Sequence, residues 1–483
     1  MFTTSPATRH RVLAEPGDWS PMDFSSDGKR LMVVKGTSAT HSQFFEVDLA
    51  AKTNREITPK GEVWAFEGIG YTGDDKSFLA TSDYQGDKSG VVSIDVATAK
   101  ITRPFPDYDK FEIDGGIFRT DRKLLAILIN EDGYSSLHLH AMPDGKPVAG
   151  PKMSKGIVGN VDFAGDWLLY SLDNANTPGT IFKCSLTDSA AAPIALTTPE
   201  TQGIDVSKFR LPELVRYKSF DGLDIPAFVY LPAAYQQGQK IPFVVDYHGG
   251  PEGQYRPSFN RIYQYLLSRG YGVMAPNVRG SSGYGRKYLE MDNYKNRMAS
   301  VKDGIAAAKW LVEKGYSTPA QIAAHGGSYG GYMVMACTTE APDAYGAACN
   351  IVGICNLQTF LERTKDYRRK LREVEYGPLS DPEFLKSVSP IYKVDRIKAP
   401  LLIAHGANDP RVPLFEAQQL YDKLQKLGKP VEILVFPDEG HGFRKENNRI
   451  TFAEKLTEFF DRHLRKATES TVAPAKGKKP DPV

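Results

Sequence analysis

The stretch Gly326-Gly327-Ser328-Tyr329-Gly330 has the pattern G-x-S-x-G, and it decides how the second half of this chain folds. It follows Gln321-Ile322-Ala323-Ala324-His325, a run typical of a buried strand, and precedes Gly331-Tyr332-Met333-Val334-Met335-Ala336, which has helix-forming content. A serine on a sharp strand-to-helix turn adopts a strained backbone, and small neighbours let the turn close. With 43 glycines in 483 residues, such a match arises by chance in roughly one chain in five. Other stretches must therefore support the prediction of a nucleophilic serine.

The bulk composition is that of an ordinary globular protein with more than one domain. Hydrophobic residues make up 41% of the chain and charged residues 24%, and the formal net charge is +2. A chain of 483 residues exceeds what a single hydrophobic core supports. The small net charge gives no reason to expect nucleic acid or an anionic membrane as a partner. No run of 18 apolar residues occurs, so we expect no membrane span.

Cysteine usage and the N-terminus bear on cofactors and on the compartment. The four cysteines are scattered, without a C-x-x-C pair, and no histidines cluster at metal spacing. We therefore expect reduced, mostly buried thiols, no metal and no organic cofactor. The first residues, Met1 to Pro6, lack the apolar core of a signal peptide, which predicts a cytoplasmic protein. If the chain is a truncated product, a periplasmic or secreted protein is the alternative.

The first 205 residues contain a repeated pattern. The stretch from Phe24 to Leu31 recurs from Tyr71 and from Phe118, and more loosely from Phe163, at spacings of 47, 47 and 45 residues. Each repeat has an aromatic residue, a turn with Asp and β-rich runs, which is the content of a four-stranded blade. Residues 1–205 are therefore predicted to form an all-β, propeller-like domain of about four blades. The alternative is an irregular β-sandwich with accidental similarity.

From about Arg216 the pattern changes to alternating strands and helices. Apolar strands are predicted at 242–247, 271–276, 322–325, 347–352, 401–405 and 431–436, and helices at 262–268, 301–314, 332–339, 414–427 and 451–464. Continuous apolar strands that alternate with helices predict a doubly wound, mostly parallel sheet. We expect an α/β-hydrolase domain over residues 206–466. The polar residues 467–483 are predicted to be a disordered tail.

An activated serine needs a general base, and three histidines follow Ser328. His463 lies within the last amphipathic helix, where a solvated face is expected, and His405 lies at a buried strand end, where a structural role is expected. His441 lies between two glycines in a loop after a strand. Those glycines let its imidazole reach a neighbouring strand end, so His441 is the predicted base.

The base in turn needs an orienting carboxylate, and two candidates exist. Asp409 comes just after a predicted strand, whereas Asp438 lies only three residues before His441. We favour Asp409, because closeness in sequence makes Asp438 a poor orienter. The chain order Ser328, Asp409, His441 is that of hydrolases with this elbow. All three follow strands, at the edge where open α/β sheets place their sites.

The tetrahedral intermediate of acyl transfer also needs N–H donors for its oxyanion. One predicted donor is the backbone N–H of Tyr329, directly after the nucleophile. The second is expected in Tyr247-His248-Gly249-Gly250-Pro251, which follows an early strand, and Gly250 is the preferred donor. His248 in the same stretch is a candidate substrate-binding residue. The alternative for this stretch is a plain Gly-Pro turn.

With these residues in place, the chain resembles the prolyl oligopeptidase family of serine peptidases, and especially its acylaminoacyl-peptidase and dipeptidyl-peptidase-like members. The stretches that carry the resemblance are His248-Gly249-Gly250-Pro251, Asn277 to Gly285, Gly326 to Tyr332, His405 to Pro413 and Gly440-His441-Gly442-Phe443. The resemblance implies the same triad, with Arg411 as a contact to a substrate carbonyl and Val412 as a wall of the specificity pocket. Family members usually carry a propeller of about seven blades. With room here for only four, we expect that the chain starts inside a propeller.

The predicted function is that of a serine peptidase that hydrolyses short peptides through an acyl-enzyme, in an acylaminoacyl- or dipeptidyl-peptidase-like manner. Two alternatives stay open. One is a carboxylesterase that uses the same triad on acyl esters, because fold and triad do not decide the leaving group. The other is an inactive interaction scaffold, if a truncated propeller prevents assembly. A homo-oligomer is an open expectation, and the cleavage-site preference does not follow from the sequence.

Overall fold

The computed structural model of the protein describes residues 11–465. The predicted disordered tail, residues 467–483, lies outside the described residues. The chain divides into two compact units. The first unit runs to Ile204 and includes Arg256–Phe259 and Ser282–Leu289, and the second comprises Asp205–Tyr255, Asn260–Ser281 and the residues from Glu290 onward. Each helix of the described residues is too short or too polar to cross a membrane.

Four antiparallel sheets of four strands each form the first unit. The first two sheets contain β1 (Asp18–Phe24), β2 (Arg30–Ser38), β3 (His41–Asp48) and β4 (Thr53–Glu56), then β5 (Phe66–Tyr71), β6 (Ser77–Ser82), β7 (Gly90–Asp95) and β8 (Ile101–Thr102). The next two contain β9 (Glu112–Phe118), β10 (Leu124–Glu131), β11 (Tyr134–Ala141) and β12 (Lys146–Val148), then β13 (Ile157–Ala164), β14 (Trp167–Asn174), β15 (Thr177–Ser185) and β16 (Ile194–Ala195). The predicted all-β domain of about four blades is confirmed.

The repeated aspartates close the same turn in successive blades. Asp27, Asp74 and Asp121 each follow the first strand of a blade and accept a hydrogen bond from the backbone N–H two residues later, at 3.0, 3.2 and 3.0 Å. A short carboxylate that bonds its own backbone two residues on stabilises a tight turn. This shared turn chemistry is the physical reason for the repeat.

Buried apolar side chains join neighbouring blades in order along the chain. Phe44 of β3 packs with Phe78 of β6 between the first two blades. Leu79 packs in one cluster with Leu125 of β10, between the second and third blades. Leu139 and other residues of the third blade pack against the fourth. Each blade therefore depends on its neighbour for a core, as in other repeat proteins.

An eight-stranded sheet forms the second unit, in the order β17-β18-β20-β19-β21-β22-β23-β24. The strands are β17 (Glu213–Lys218), β18 (Asp224–Tyr230), β19 (Phe243–Tyr247), β20 (Gly272–Pro276), β21 (Ile322–Gly327), β22 (Ala347–Ile351), β23 (Leu401–Gly406) and β24 (Val431–Phe436). The first three strands in this order pair antiparallel, and β20 onward pairs in parallel. The predicted doubly wound, mostly parallel sheet is confirmed.

The described residues contain nine α-helices. They are α1 (Arg261–Ser268), α2 (Arg286–Glu290), α3 (Arg297–Glu313), α4 (Tyr329–Glu340), α5 (Leu357–Arg363), α6 (Asp366–Tyr376), α7 (Pro382–Val388), α8 (Leu414–Lys426) and α9 (Glu446–Phe460). Short helical turns also occur at Pro106–Tyr108, Val206–Lys208, Tyr294–Asn296, Pro319–Gln321, Pro390–Arg396 and Asp461–Arg465.

Several helix limits differ from the predicted ones. Helices α3, α4 and α9 begin at Arg297, Tyr329 and Glu446, three to five residues before the predicted starts. The first turn of α3 carries a fully buried arginine, Arg297, so a search for apolar periodicity misses it. Helices α2, α5, α6 and α7 have no counterpart in the prediction. Helices α5 and α7 have seven residues each, so their buried apolar positions span only about two turns. Helix α6 is strongly charged.

Candidate active site

Ser328 lies at the sharp turn between β21 and α4. Its backbone has φ 60° and ψ −121°, a left-handed conformation that costs a non-glycine residue free energy and persists only where the surroundings enforce it. Its N–H donates to the Ile351 carbonyl of β22 at 2.9 Å, which ties the turn to the sheet. Gly330 must be glycine, because a Cβ there would overlap the Tyr247 carbonyl of β19. The G-x-S-x-G stretch therefore forms the predicted strained strand-to-helix turn.

His441 and Asp409 meet at the carboxyl ends of β24 and β23. The imidazole Nδ1 lies 2.7 Å from the Asp409 Oδ2. The other carboxylate oxygen, Oδ1, accepts the backbone N–H groups of Arg411 at 2.8 Å and Val412 at 3.0 Å. The side chain of Asp409 is fully buried, whereas that of His441 is 15% exposed. Because an ionised carboxylate only accepts hydrogen bonds, Nδ1 carries the proton and Nε2 keeps its lone pair.

The hydrogen bonds to Asp409 hold it in the charged form. Burial by itself raises the pKa of this carboxyl group, but the bonds from His441 and from the backbone N–H groups of Val412 and Arg411 outweigh that effect. The net pKa lies below the usual value for aspartate. A charged Asp409 keeps the orientation of the ring and stabilises a proton on it.

Ser328, Asp409 and His441 all follow strands of the parallel part of the sheet, at its carboxyl edge. Among residues 11–465, no hydrogen bond joins the Ser328 hydroxyl to His441. Catalytic hydrogen bonds are often long without substrate and tighten in the reacting complex. The structure therefore brings His441 and Asp409 together, and it leaves the bond to Ser328 unmade.

The alternative acid, Asp438, makes its hydrogen bonds to other residues. Its carboxylate lies near the surface and accepts hydrogen bonds from Lys445 and from Asn448, at 2.5 and 3.0 Å.

The other two histidines that follow Ser328 have different surroundings. His405 is fully buried and its Nε2 bonds the Val412 carbonyl at 2.9 Å. His463 packs its ring 4.7 Å from the ring of Phe459, so it does not lie on a purely solvated face.

The stretch after β19 lies against the nucleophile. A Cβ added to Gly249 would lie 3.4 Å from the Cβ and 3.9 Å from the Oγ of Ser328. Gly250 adopts φ +136°, a conformation that favours glycine. In the described residues, the N–H groups of Gly250 and Tyr329 donate to no protein acceptor. The protein itself therefore uses neither of the two predicted oxyanion donors.

The remaining predicted binding residues are held by the protein itself. His248 uses both ring nitrogens, with Nδ1 2.8 Å from the Gly249 carbonyl and Nε2 2.7 Å from the Ser281 hydroxyl. Burial lowers the pKa of this imidazole. The Arg411 side chain is exposed, whereas Val412 is only 2% exposed. Their roles toward a substrate stay predictions.

A buried polar cluster beneath the nucleophile has no counterpart in the sequence analysis. The Tyr329 hydroxyl bonds Arg297 at 2.8 Å, Ser300 at 3.0 Å and Asp292 at 3.2 Å. Arg297 also pairs with Asp292, and both side chains are at most 1% exposed. Burial raises the pKa of Asp292 to about 6, against the opposing effect of Arg297. Isolated charged residues in a helical stretch carry no sequence signal that distinguishes them from a solvated face.

In the part of the chain that the structure describes, no group of three or more His, Cys, Asp or Glu side chains is arranged to hold a metal ion. The expectation that no cofactor is needed stays a prediction. The candidate site thus consists of a strained serine, a buried Asp–His pair and two backbone N–H groups that bond no other described residue. These are the components of acyl transfer through a serine nucleophile.

The chain is similar to known proteins in sequence and in fold. Residues 257–467 match the prolyl oligopeptidase family. The chain is 39% identical over 216 residues to dipeptidyl aminopeptidase BIII of Pseudoxanthomonas mexicana, a match that covers 43% of this chain and 31% of that protein. It is 28% identical to the acylamino-acid-releasing enzyme of Arabidopsis thaliana, over 56% of this chain and 37% of that protein. The matches thus span about a third of these relatives' own lengths.

The fold agrees with solved structures over nearly the whole chain. A puromycin-hydrolyzing peptidase of Mycobacterium tuberculosis superposes with a TM-score of 0.86 at 24% identity, over 94% of this chain and 71% of that one. An acylaminoacyl peptidase of Pyrococcus horikoshii superposes with a TM-score of 0.74 at 22% identity, over the same shares. At these identities the likeness concerns the fold, an N-terminal propeller with a C-terminal α/β-hydrolase domain.

Proposed function

Because residues 257–467 form a prolyl oligopeptidase family domain, we propose that this chain is a serine peptidase that hydrolyses short peptides through an acyl-enzyme. The observation that carries the proposal is the 2.7 Å contact between His441 Nδ1 and the fully buried Asp409 carboxylate. The pair lies at the same sheet edge as the strained Ser328. A buried carboxylate on Nδ1 leaves Nε2 free to accept a proton, which a serine nucleophile requires.

In the proposed reaction the Ser328 hydroxyl attacks the scissile carbonyl carbon while His441 Nε2 takes its proton. The N–H groups of Gly250 and Tyr329 stabilise the negative oxygen of the tetrahedral intermediate. The imidazolium then donates its proton to the leaving amine, and the C–N bond breaks to leave an acyl-Ser328 ester. Water adds to that ester with His441 as the base, and the carboxylic acid product leaves.

The proposed substrates are short peptides with either a blocked or a free N-terminus. Dipeptidyl aminopeptidase BIII and the acylamino-acid-releasing enzyme, the relatives by name, differ in that respect. We keep residues 1–205 and 206–466 as the proposed limits of the two domains. The four cysteines are buried and unpaired, which supports the proposed cytoplasmic compartment. A homo-oligomer stays a prediction.

The test compares three chromogenic substrates, an acyl-alanine anilide, a free-amino alanyl anilide and a p-nitrophenyl ester. We expect anilide hydrolysis that is lost in Ser328→Ala and retained in Ser387→Ala, a control on an exposed serine. The preferred anilide then decides between an acyl and a free-amino substrate. Ester hydrolysis without anilide hydrolysis would favour the carboxylesterase alternative. A folded protein whose serine does not react with a fluorophosphonate would favour the scaffold.

A further inference from the structure

Arg372 on α6 contacts the stretch that carries the proposed oxyanion donor Gly250. Its Nη1 donates to the Gly250 carbonyl at 3.2 Å and lies 3.4 Å from the Glu252 carboxylate. The same nitrogen pairs with both carboxylate oxygens of Glu375, at 2.6 and 2.8 Å. Arg372 is 23% exposed and Glu375 6%, so this ion pair is largely withdrawn from water and its geometry is constrained.

A second arginine connects the same helix to the side chain of Tyr329, the residue whose backbone N–H is the other proposed donor. Arg297 of α3 donates from Nη2 to the Glu375 backbone carbonyl at 2.6 Å and from Nη1 to the Tyr329 hydroxyl at 2.8 Å. Its guanidinium also lies over the Tyr329 and Tyr376 rings, 5.2 Å from each centroid. Two sets of hydrogen bonds therefore meet at Glu375, one at its carboxylate and one at its backbone carbonyl, and together they link the Gly250 carbonyl to the Tyr329 hydroxyl.

The position of Gly250 depends on such contacts because glycine lacks a Cβ and rotates freely on both sides. The peptide that carries its N–H includes the Gly249 carbonyl, which His248 Nδ1 contacts at 2.8 Å. The peptide on its other side includes the Gly250 carbonyl, which Arg372 contacts. Both peptide planes next to the donor are thus held from outside. Donors to an oxyanion act only when they are already aimed at the place where the charge develops.

We propose that Arg372 and Glu375 are positioning residues. Together with Arg297 they form a clamp that holds the N–H groups of Gly250 and Tyr329 in a fixed relative position. This inference rests on the proposed function. The clamp touches no reacting atom. It keeps the N–H groups of Gly250 and Tyr329 at a constant separation, so that both reach one oxygen atom at the same time.

The raised pKa of Glu375 agrees with this picture. Burial is its first cause, and the neighbouring Glu252 carboxylate is the second, while Arg372 opposes both. The guanidinium of Arg372 lies beside both carboxyl groups and offsets their mutual repulsion.

The experiment compares Arg372→Met and Glu375→Gln with Lys370→Met, a control at an exposed position of the same helix. We expect Arg372→Met to lower kcat about tenfold to a hundredfold with KM within about twofold, because the donors act in the transition state. The inhibition constant of a peptidyl trifluoromethyl ketone, whose hemiketal oxygen occupies the oxyanion position, should rise by the same factor. Binding of the peptide product should not change. Arg372→Lys, which keeps one donor, should restore part of kcat.

Unchanged kcat and inhibitor binding in folded Arg372→Met would overturn the inference, and so would a loss confined to KM. If Arg372→Met does not fold, Glu375→Gln decides in the same way, because it keeps the shape of the side chain. Wild-type protein that neither hydrolyses anilides nor reacts with a fluorophosphonate would overturn the proposed function itself. An active wild type with unchanged variants overturns only the clamp.

Discussion

Replacing Asp409 by asparagine tests the proposed triad most directly. The Oδ1 of Asp409 accepts two backbone N–H groups, and its Oδ2 faces His441 Nδ1 at 2.7 Å. In Asp409→Asn the single amide oxygen must remain where the two N–H groups point. The amide NH2 group then faces Nδ1, and two donors cannot share that short contact.

The expected response of His441 is a change of tautomer. With an amide donor opposite, Nδ1 becomes the acceptor and the ring proton moves to Nε2, where it blocks proton transfer from Ser328. A triad with the wrong tautomer loses about four orders of magnitude in kcat. That factor corresponds to about 5.5 kcal/mol of transition-state stabilisation. The substitution changes no volume, so a folded protein is expected.

The assay measures kcat/KM on the preferred anilide, with near-UV circular dichroism and the unfolding midpoint as tests of folding. Asp438→Asn is the matched control, because that carboxylate bonds Lys445 and Asn448 and does not contact His441. Its activity should stay within about twofold of wild type, as for a surface substitution. A folded Asp409→Asn within tenfold of wild type would refute the reasoning. A large loss in Asp438→Asn would instead identify the rival as the acid.

Two further predictions concern stability. Gly330→Ala places a methyl group against the Tyr247 carbonyl and should destabilise the second unit by more than about 2 kcal/mol. The measurement is the unfolding midpoint, which should fall. An unchanged midpoint would contradict the tight packing of this turn. Burial raises the pKa of Asp292 to about 6, so between about pH 4 and 6 the folded state keeps a proton that the unfolded state has released, and stability falls as the pH rises. The full effect on the free energy of unfolding is about 3 kcal/mol, at about 1.4 kcal/mol per pKa unit. In Asp292→Asn the free energy from urea unfolding should depend less on pH in this range. An unaltered pH dependence would assign the effect to another group.

The blade repeat and the nucleophile turn were predictable because they depend on contacts between near neighbours in the chain. The turn aspartates, such as Asp27, bond the backbone two residues later, so their spacing is visible in the sequence. Gly330 leaves room for the Tyr247 carbonyl, and a glycine at that position is part of a recognisable motif. Contacts between near neighbours constrain residue type and spacing, so they can be recognised in a sequence.

Other features of the fold carry little signal in the sequence. Helices α2 and α5 to α7 have 11 residues or fewer, which leaves few turns in which an apolar period can repeat. Charged side chains are most often solvated, so nothing marked Arg297 as fully buried. Its burial is tolerated because Asp292 and the Tyr329 hydroxyl pair with it. Only the assembled structure reveals such compensation.

The order of motifs along this chain predicted a propeller-like region and a parallel sheet, which the structure shows. It also predicted the triad Ser328, Asp409 and His441, whose catalytic roles stay predictions. The tertiary structure decided which of the candidate residues come into contact. His441 contacts Asp409, 32 residues away, and not the nearer Asp438. Arg372 reaches Gly250 across 122 residues of sequence. Hydrogen bonds depend on distances and angles in space, and a parallel sheet brings strand ends together irrespective of their separation along the chain.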